Sequence, residues 1–137
     1  MTVDNRTGII LTLGDDMSNP EMDSVGNKRW YNAADQLHRL DGPAIEYAYG
    51  DKEWWVNGQR HRLDGPAIER ADGSKSWYQN GQLHRLDGPT VEYPNGTKFW
   101  YLYGKELTEA EHYAQTCIYQ FIMSKPVIDI VDSGDQI

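Results

Sequence analysis

NGQRHRLDGPAIERADGSKSW, residues 57–77, places one HRLDGP step between two glycine turns. The step recurs. LHRLDGP also fills residues 37–43 and 83–89, so His38, His61 and His84 stand 23 residues apart. Ahead of the steps come KRWY at 28–31, KEWW at 52–55 and KSWY at 75–78; a fourth copy, KFWY at 98–101, has no HRLDGP after it. The first interval between these segments is 24 because NAADQ (32–36) stands where VNGQ (56–59) stands later. Self-similarity at a fixed period marks a repeated supersecondary unit, each copy burying its apolar side against the next.

The unit alternates two kinds of turn. Asn57-Gly58 and Asn80-Gly81 lie between short β-favouring stretches, a strong hairpin signal because both central residues must take positive φ. Asp72-Gly73 and Asn95-Gly96 mark a second turn, with Tyr49-Gly50 and Tyr103-Gly104 as variants. The chain therefore reads as an antiparallel meander. If Asp72-Gly73 is a two-residue turn, Ile68 faces Trp77, and the same geometry pairs Ile45 with Trp54 and Val91 with Trp100. Across the Asn-Gly turns, Trp54 faces His61 and Trp77 faces His84. Ile, Trp and His then share one stripe, while Trp55, Tyr78, Leu37 and Leu83 line the other face.

This unit resembles MORN repeats, which are similar in length and carry an aromatic strand and glycine turns. It is more closely similar to hairpin-repeat proteins of bacteria and tailed phages with LHR-x-DGPA units. The resemblance covers residues 28–106. It implies a mainly β fold, an antiparallel meander of about 23-residue MORN-like hairpin repeats, acting as a scaffold or protein-binding surface. In its most concrete form it implies a small phage accessory protein that binds and inhibits a host protein of defence or nucleic-acid processing, in the host cytoplasm.

The flanks differ from the array. Residues 1–27 form an acidic segment with one possible strand at Gly8–Leu13. Residues 107–137 supply a capping helix, a terminal strand at Val127–Val131 and an acidic tail. Thr108 and Glu111 make a capping box. Ala110, Tyr113, Ala114, Cys117, Ile118, Phe121 and Ile122 then recur at helical spacing, one apolar face with Cys117 expected in the buried side, and Pro126 ends the helix. Asp4 and the absence of a long apolar run in the first sixteen residues speak against a secretory leader. No run is long enough to span a membrane, and a cytoplasmic protein is the simplest reading.

Charge excludes some partners. The net charge is −8, yet residues 28–106 hold eleven basic and eleven acidic residues, and each flank holds one basic and five acidic. No basic patch is present to neutralise phosphates, so neither direct nucleic-acid binding nor membrane association is expected. Five Trp and nine Tyr against two Phe give a thin, half-wet core. With a single cysteine there is no internal disulfide or cysteine-rich zinc site.

The motif residues His38, Arg39, Asp41, His61, Arg62, Asp64, His84, Arg85 and Asp87 invite an acid–base reading. An active site is one convergent constellation, whereas this set recurs in every unit, so a structural role is expected: Asp stabilising the turn, Arg pairing with that Asp or the next strand's Glu, His capping a Trp. No enzyme activity, metal or cofactor is expected; a ladder of three Asp flanked by Arg does not supply the six to eight oxygens that Ca²⁺ takes. Partner contacts are expected from an aromatic row, Trp55, Tyr78 and Tyr101, or from the acidic ends, including Asp129, Asp132 and Asp135. The rival readings are a small-ligand or nucleotide-binding protein and a structural or assembly module.

Overall fold

The computed structural model describes residues 19–124. Thirteen short strands and one helix are present among them. The strands are β1 (Glu21–Met22), β2 (Lys28–Arg29), β3 (Ile45–Glu46), β4 (Lys52–Glu53), β5 (Trp55–Val56), β6 (Gln59–Arg60), β7 (Ile68–Glu69), β8 (Lys75–Ser76), β9 (Tyr78–Gln79), β10 (Gln82–Leu83), β11 (Val91–Glu92), β12 (Lys98–Leu102) and β13 (Lys105–Leu107); the helix is α1 (Glu109–Met123). Nine strands form one antiparallel sheet in the order β1-β2-β3-β4-β7-β8-β11-β12-β13. The pairs β5-β6 and β9-β10 are hairpins beside it. The fold is mainly β, in meander order, with a C-terminal helix.

Two turn chemistries generate this layout. At Asn57-Gly58 and Asn80-Gly81 both residues have positive φ (49° and 80°, 51° and 82°), the two-residue primed turn that suits strand twist. Tyr103-Gly104 takes the same form, with φ of 50° and 81°. The register across these turns agrees with the sequence: Trp55 pairs with Arg60, and His61 N donates to Trp54 O as His84 N does to Trp77 O, each at 3.1 Å.

The other turns correct the expected register. At Ala71-Asp72-Gly73 only Gly73 has positive φ (95°); Gly73 N donates to Arg70 O, and Arg70 N to Ser74 O. That is a three-residue loop, a type I turn closed by a left-handed glycine. The extra residue shifts the pairing by one. Ile68 therefore faces Ser76 rather than Trp77, Ile45 faces Glu53 rather than Trp54, and Val91 faces Phe99 rather than Trp100.

The shifted register aligns side chains in two rows. One runs Ile45, Glu53, Ile68, Ser76, Val91 across five strands. Its apolar members are buried, with Ala44 and Ala67, both fully enclosed, beside them. The other row runs Lys28, Glu46, Lys52, Glu69, Lys75, Glu92, Lys98. Basic and acidic side chains alternate without a break on the opposite face. Opposite charges across a strand pair each contribute roughly 0.2–1 kcal/mol.

The thin core is supplemented by buried polar groups with partners. Glu53 accepts from Trp55 Nε1 and Arg60 Nε, both at 3.0 Å. Asp51 accepts from Ala71 N at 2.8 Å and Arg70 Nη1 at 3.0 Å, tying one loop to the next. Asn27 does the same for Ala48 N at 2.8 Å. The residues between 19 and 27, expected from the sequence as part of a loop leading into the repeats, form β1 and a turn organised by Asp23. Its carboxylate accepts from Val25 N, Asn27 N, Asn27 Nδ2 and Arg29 Nη1. These bonds, the Asn27 side chain foremost, lower its pKa from 3.8 to about 2.

The C-terminal end departs from the series. Pro94, at the position of Ala48 and Ala71, has no N–H to donate to the loop before it. Leu107 pairs with Trp100 where His61 and His84 oppose Trp54 and Trp77. The helix follows at once, opened by the capping box: Glu111 N donates to Thr108 Oγ1 and Thr108 N to Glu111 Oε1.

The helix orientation corrects the expected packing. Among its described side chains the buried ones are His112 and Thr116. Ala110, Tyr113, Ala114, Cys117, Ile118, Phe121 and Ile122, the expected core face, are exposed. Cys117 is thus an exposed thiol rather than a core residue. The helix runs to Met123; the segments Gly8–Leu13 and Val127–Val131 and the Pro126 stop lie outside the described residues.

Candidate functional site

The three HRLDGP steps form one recurrent device. Arg39, Arg62 and Arg85 lay their guanidinium groups over Trp30, Trp54 and Trp77, with 3.9, 3.9 and 3.8 Å from Cζ to the ring centroid. Such cation–π contacts contribute about 0.5–2 kcal/mol each. Nε donates to Asp41, Asp64 or Asp87 at 2.8, 2.9 and 2.8 Å. Nη1 donates to the carbonyl of Pro43, Pro66 or Pro89 at 3.1, 3.0 and 2.9 Å. The same atom reaches Glu46, Glu69 or Glu92 at 3.4, 2.9 and 3.0 Å. Both expected Arg partners are therefore present. The Asp works through the guanidinium, more than through the backbone N–H anticipated for it.

The glycine of the step serves close approach. A Cβ on Gly42, Gly65 or Gly88 would stand 3.0, 2.9 or 2.9 Å from the Cζ of the folded-over Arg. The hydrogen bond from Arg, reinforced by its charge, holds Asp41, Asp64 and Asp87 below the usual carboxylate range.

Each histidine joins two units. Nδ1 of His38, His61 and His84 accepts the backbone N–H of Asn57, Asn80 and Tyr103, at 2.9, 3.0 and 3.1 Å, always nineteen residues ahead. The bond requires Nδ1 to be unprotonated, so a neutral ring carries its proton on Nε2. Around the same joint, Gly58, Gly81 and Gly104 donate to the carbonyls of Leu37, Arg60 and Leu83. His84 also packs against the Tyr103 ring, 4.2 Å between centroids. Burial, and then the nearby His112, lower the His84 pKa. His112 Nε2 lies 2.6 Å from Arg85 O, fixing α1 to the last step.

The surface between steps is a set of open clefts. One lies between the first and second steps, lined by Leu40, Asp41, Trp54, His61 and Leu63. The next lies between the second and third, lined by Leu63, Asp64, Trp77 and Leu86. A third has α1 as its far wall, with His112, Thr116 and Cys117 beside Leu86 and Trp100. Leu40 and Leu63 are 68% and 75% exposed, while Leu86, next to the helix, is half-buried. The Asp41, Asp64 and Asp87 side chains are also largely exposed.

The aromatic row is less open than the sequence implies. Trp55, Tyr78 and Tyr101 are half-buried. Arg60 sits between the first two, 4.8 Å from the Trp55 ring and 5.5 Å from the Tyr78 ring. Tyr101 is tied through its backbone to Thr90 Oγ1, and burial raises its phenol pKa. Asp129, Asp132 and Asp135 lie outside the described residues. No group of three or more His, Cys, Asp or Glu converges on a metal-sized space among the described residues. No described helix is long and apolar enough to cross a membrane.

The exposed Leu40 and Leu63 escaped the sequence reading. Their signal was available: a leucine at the centre of each HRLDGP step, between side chains committed to turn formation. Compared with known proteins, the chain matches no family model, no curated protein and no solved structure.

Proposed function

We propose that the chain is a non-enzymatic protein-binding module whose docking surface is the row of Leu-Asp steps. The observation that carries this reading is the internal commitment of the HRLD groups. Every Arg serves its own Asp, Pro carbonyl, Glu and Trp. Every motif His has its Nδ1 lone pair on a backbone N–H. A general base needs that lone pair for a substrate. What the steps leave outward is Leu40 and Leu63 with a carboxylate beside each. Such a surface suits a partner with apolar side chains flanked by basic ones, the carboxylates adding orientation and association rate. That the partner is a host protein inhibited by a phage product rests on the resemblance of the LHR-x-DGPA units.

The test compares the full chain with a Leu40→Asp, Leu63→Asp variant. Both are immobilised and exposed to lysate from candidate host cells. Proteins retained by the parent and lost by the variant are expected, with purified-partner affinity falling by about 30-fold or more, the scale of an interface hot spot. Equal capture by both, with both folded, overturns the assignment. A reproducible thermal shift with a nucleotide or Ca²⁺ would instead indicate a ligand-binding protein, since ligand at a hundred times Kd adds about 2.7 kcal/mol.

A further inference from the structure

The clefts between the HRLDGP steps repeat with the array. Leu40, Leu63 and Leu86 precede β3, β7 and β11, each two strands from the next in the nine-stranded sheet. At about 4.8 Å per strand, successive clefts are about 9.6 Å apart. Trp54 lines the first and Trp77 the second. The Trp55 indole N–H is bonded to Glu53. Those of Trp54 and Trp77 donate to no group among the described residues, and neither nitrogen is enclosed. Asp41, Asp64 and Asp87 stand beside them, largely exposed, each with one oxygen on its Arg.

With the Leu-Asp row taken as the docking surface, on which this inference rests, we propose that the partner is a proline-rich, basic segment in the polyproline II conformation, lying across the steps. Period selects the conformation. Polyproline II has three residues per turn and rises about 3.1 Å for each, so every third residue returns to one face after about 9.3 Å. That matches one turn to each cleft. An extended strand returns a side chain to one face after about 6.7 Å or about 13 Å, out of step with the clefts. Seven residues of an α-helix advance about 10.5 Å, but its carbonyls are bonded internally. Polyproline II has no internal hydrogen bonds. Its carbonyls can therefore accept from the Trp54 and Trp77 indoles, which are donors only.

The walls select the composition. Leucine and tryptophan suit proline rings, and the Asp beside each Leu suits an arginine or lysine in each turn. The flanks of the chain itself do not match. Residues 1–18 hold three Asp, one Arg and no proline; residues 125–137 hold three Asp, one Lys and one proline. Either would bring acid to an acidic row. Beyond Leu86 the surface is walled by α1, so the footprint is the row from Leu40 to Leu86, about 19 Å or about seven residues of polyproline II.

The test titrates the isotope-labelled full chain with three peptides of equal charge. One repeats Pro-Pro-Arg. The second has the same composition with its arginines gathered at one end. The third is an alanine-rich helix with leucine at every seventh position. The periodic proline peptide should bind at least about tenfold tighter than the others. It should shift the indole N–H signals of Trp54 and Trp77 and leave that of Trp55 in place. Leu63→Asp alters the ridge shared by both clefts at a side chain 75% exposed, so circular dichroism should be unchanged while affinity for this peptide falls about 30-fold or more. Asp64→Asn keeps an acceptor for Arg62 and should reduce the salt dependence of binding. Equal affinity for the two proline peptides, tighter binding of the helix, or unmoved Trp54 and Trp77 signals overturns the polyproline II assignment. If no peptide binds while the Leu40→Asp, Leu63→Asp variant still loses lysate proteins that the parent retains, this assignment falls and the docking surface stands. If that capture is equal too, both fall.

Discussion

The smallest decisive group is the hydrogen atom that stands in for a side chain at Gly65. The Arg62 guanidinium folds back across it to reach Trp54, Asp64, Pro66 O and Glu69. A methyl group there would sit 2.9 Å from Cζ, so either the glycine or the Arg must move, and all four contacts are disturbed together. Gly65→Ala should lower stability by about 1–3 kcal/mol, the usual cost of forcing atoms into packed space. Chemical denaturation checks this, with Gly96→Ala as a contrast: Gly96 has open space around its Cβ direction but φ of 90°, so its penalty is backbone strain alone. The distinction was not legible in the sequence. DG reads as a turn signal in both DGP and ADGS, but only the glycine of ADGS has positive φ; the glycine of DGP is there for what lies on top of it. The repetition itself, by contrast, was legible, and the same Arg–Asp and histidine bonds recur at each copy.

Among the elements, the alternating row of Lys and Glu is the clearest product of register. Lys75 lies between Glu69 and Glu92 on adjacent strands. Lys75→Glu places three carboxylates in line, and at about 0.2–1 kcal/mol per cross-strand pair the loss should be roughly 1 kcal/mol. Raising ionic strength should recover part of it by screening, whereas a packing defect would persist in salt; melting curves at low and high salt separate the two. The row stayed hidden because three equivalent loops were each read a residue too short. A two-residue turn puts Ile68 opposite Trp77; a three-residue loop puts it opposite Ser76 and brings Glu69 to Lys75. Where both turn residues take positive φ, as at Asn57-Gly58, the reading succeeded, and so did the Trp–His opposition that follows from it. The helix shows another limit. Its spacing tells which residues share a face, but His112 and Thr116, not that face, meet the sheet; one histidine bond to Arg85 O lies beyond what periodicity expresses.

In the whole molecule, every joint reaches one unit forward, so stability is local and the ends differ from the middle. The C-terminal joint depends on His84, whose Nδ1 takes the Tyr103 N–H. Its pKa lies below the ordinary 6.5, through burial first and His112 second. The neutral ring is the folded form, so its contribution is complete above pH 6.5 and is lost as pH falls through the lowered folded value. Acidification from about pH 7.5 to about pH 5.5 should therefore speed amide exchange first in β12, β13 and α1. Hydrogen-exchange mass spectrometry would show this as a gradient along the chain; a uniform increase, or one confined to β1 and β2, would refute it. The same one-step reach has a genetic consequence. Duplicating a 23-residue segment inside the array leaves each histidine with a turn nineteen residues ahead, and the stop carried by Leu107 and the helix is merely pushed outward. Each such event adds two strands to the main sheet, about 10 Å, and one hairpin beside it, without requiring a compensating mutation elsewhere. The number of Leu-Asp steps can thus change by copying errors alone, and the length of a partner's footprint becomes a heritable variable independent of its chemistry.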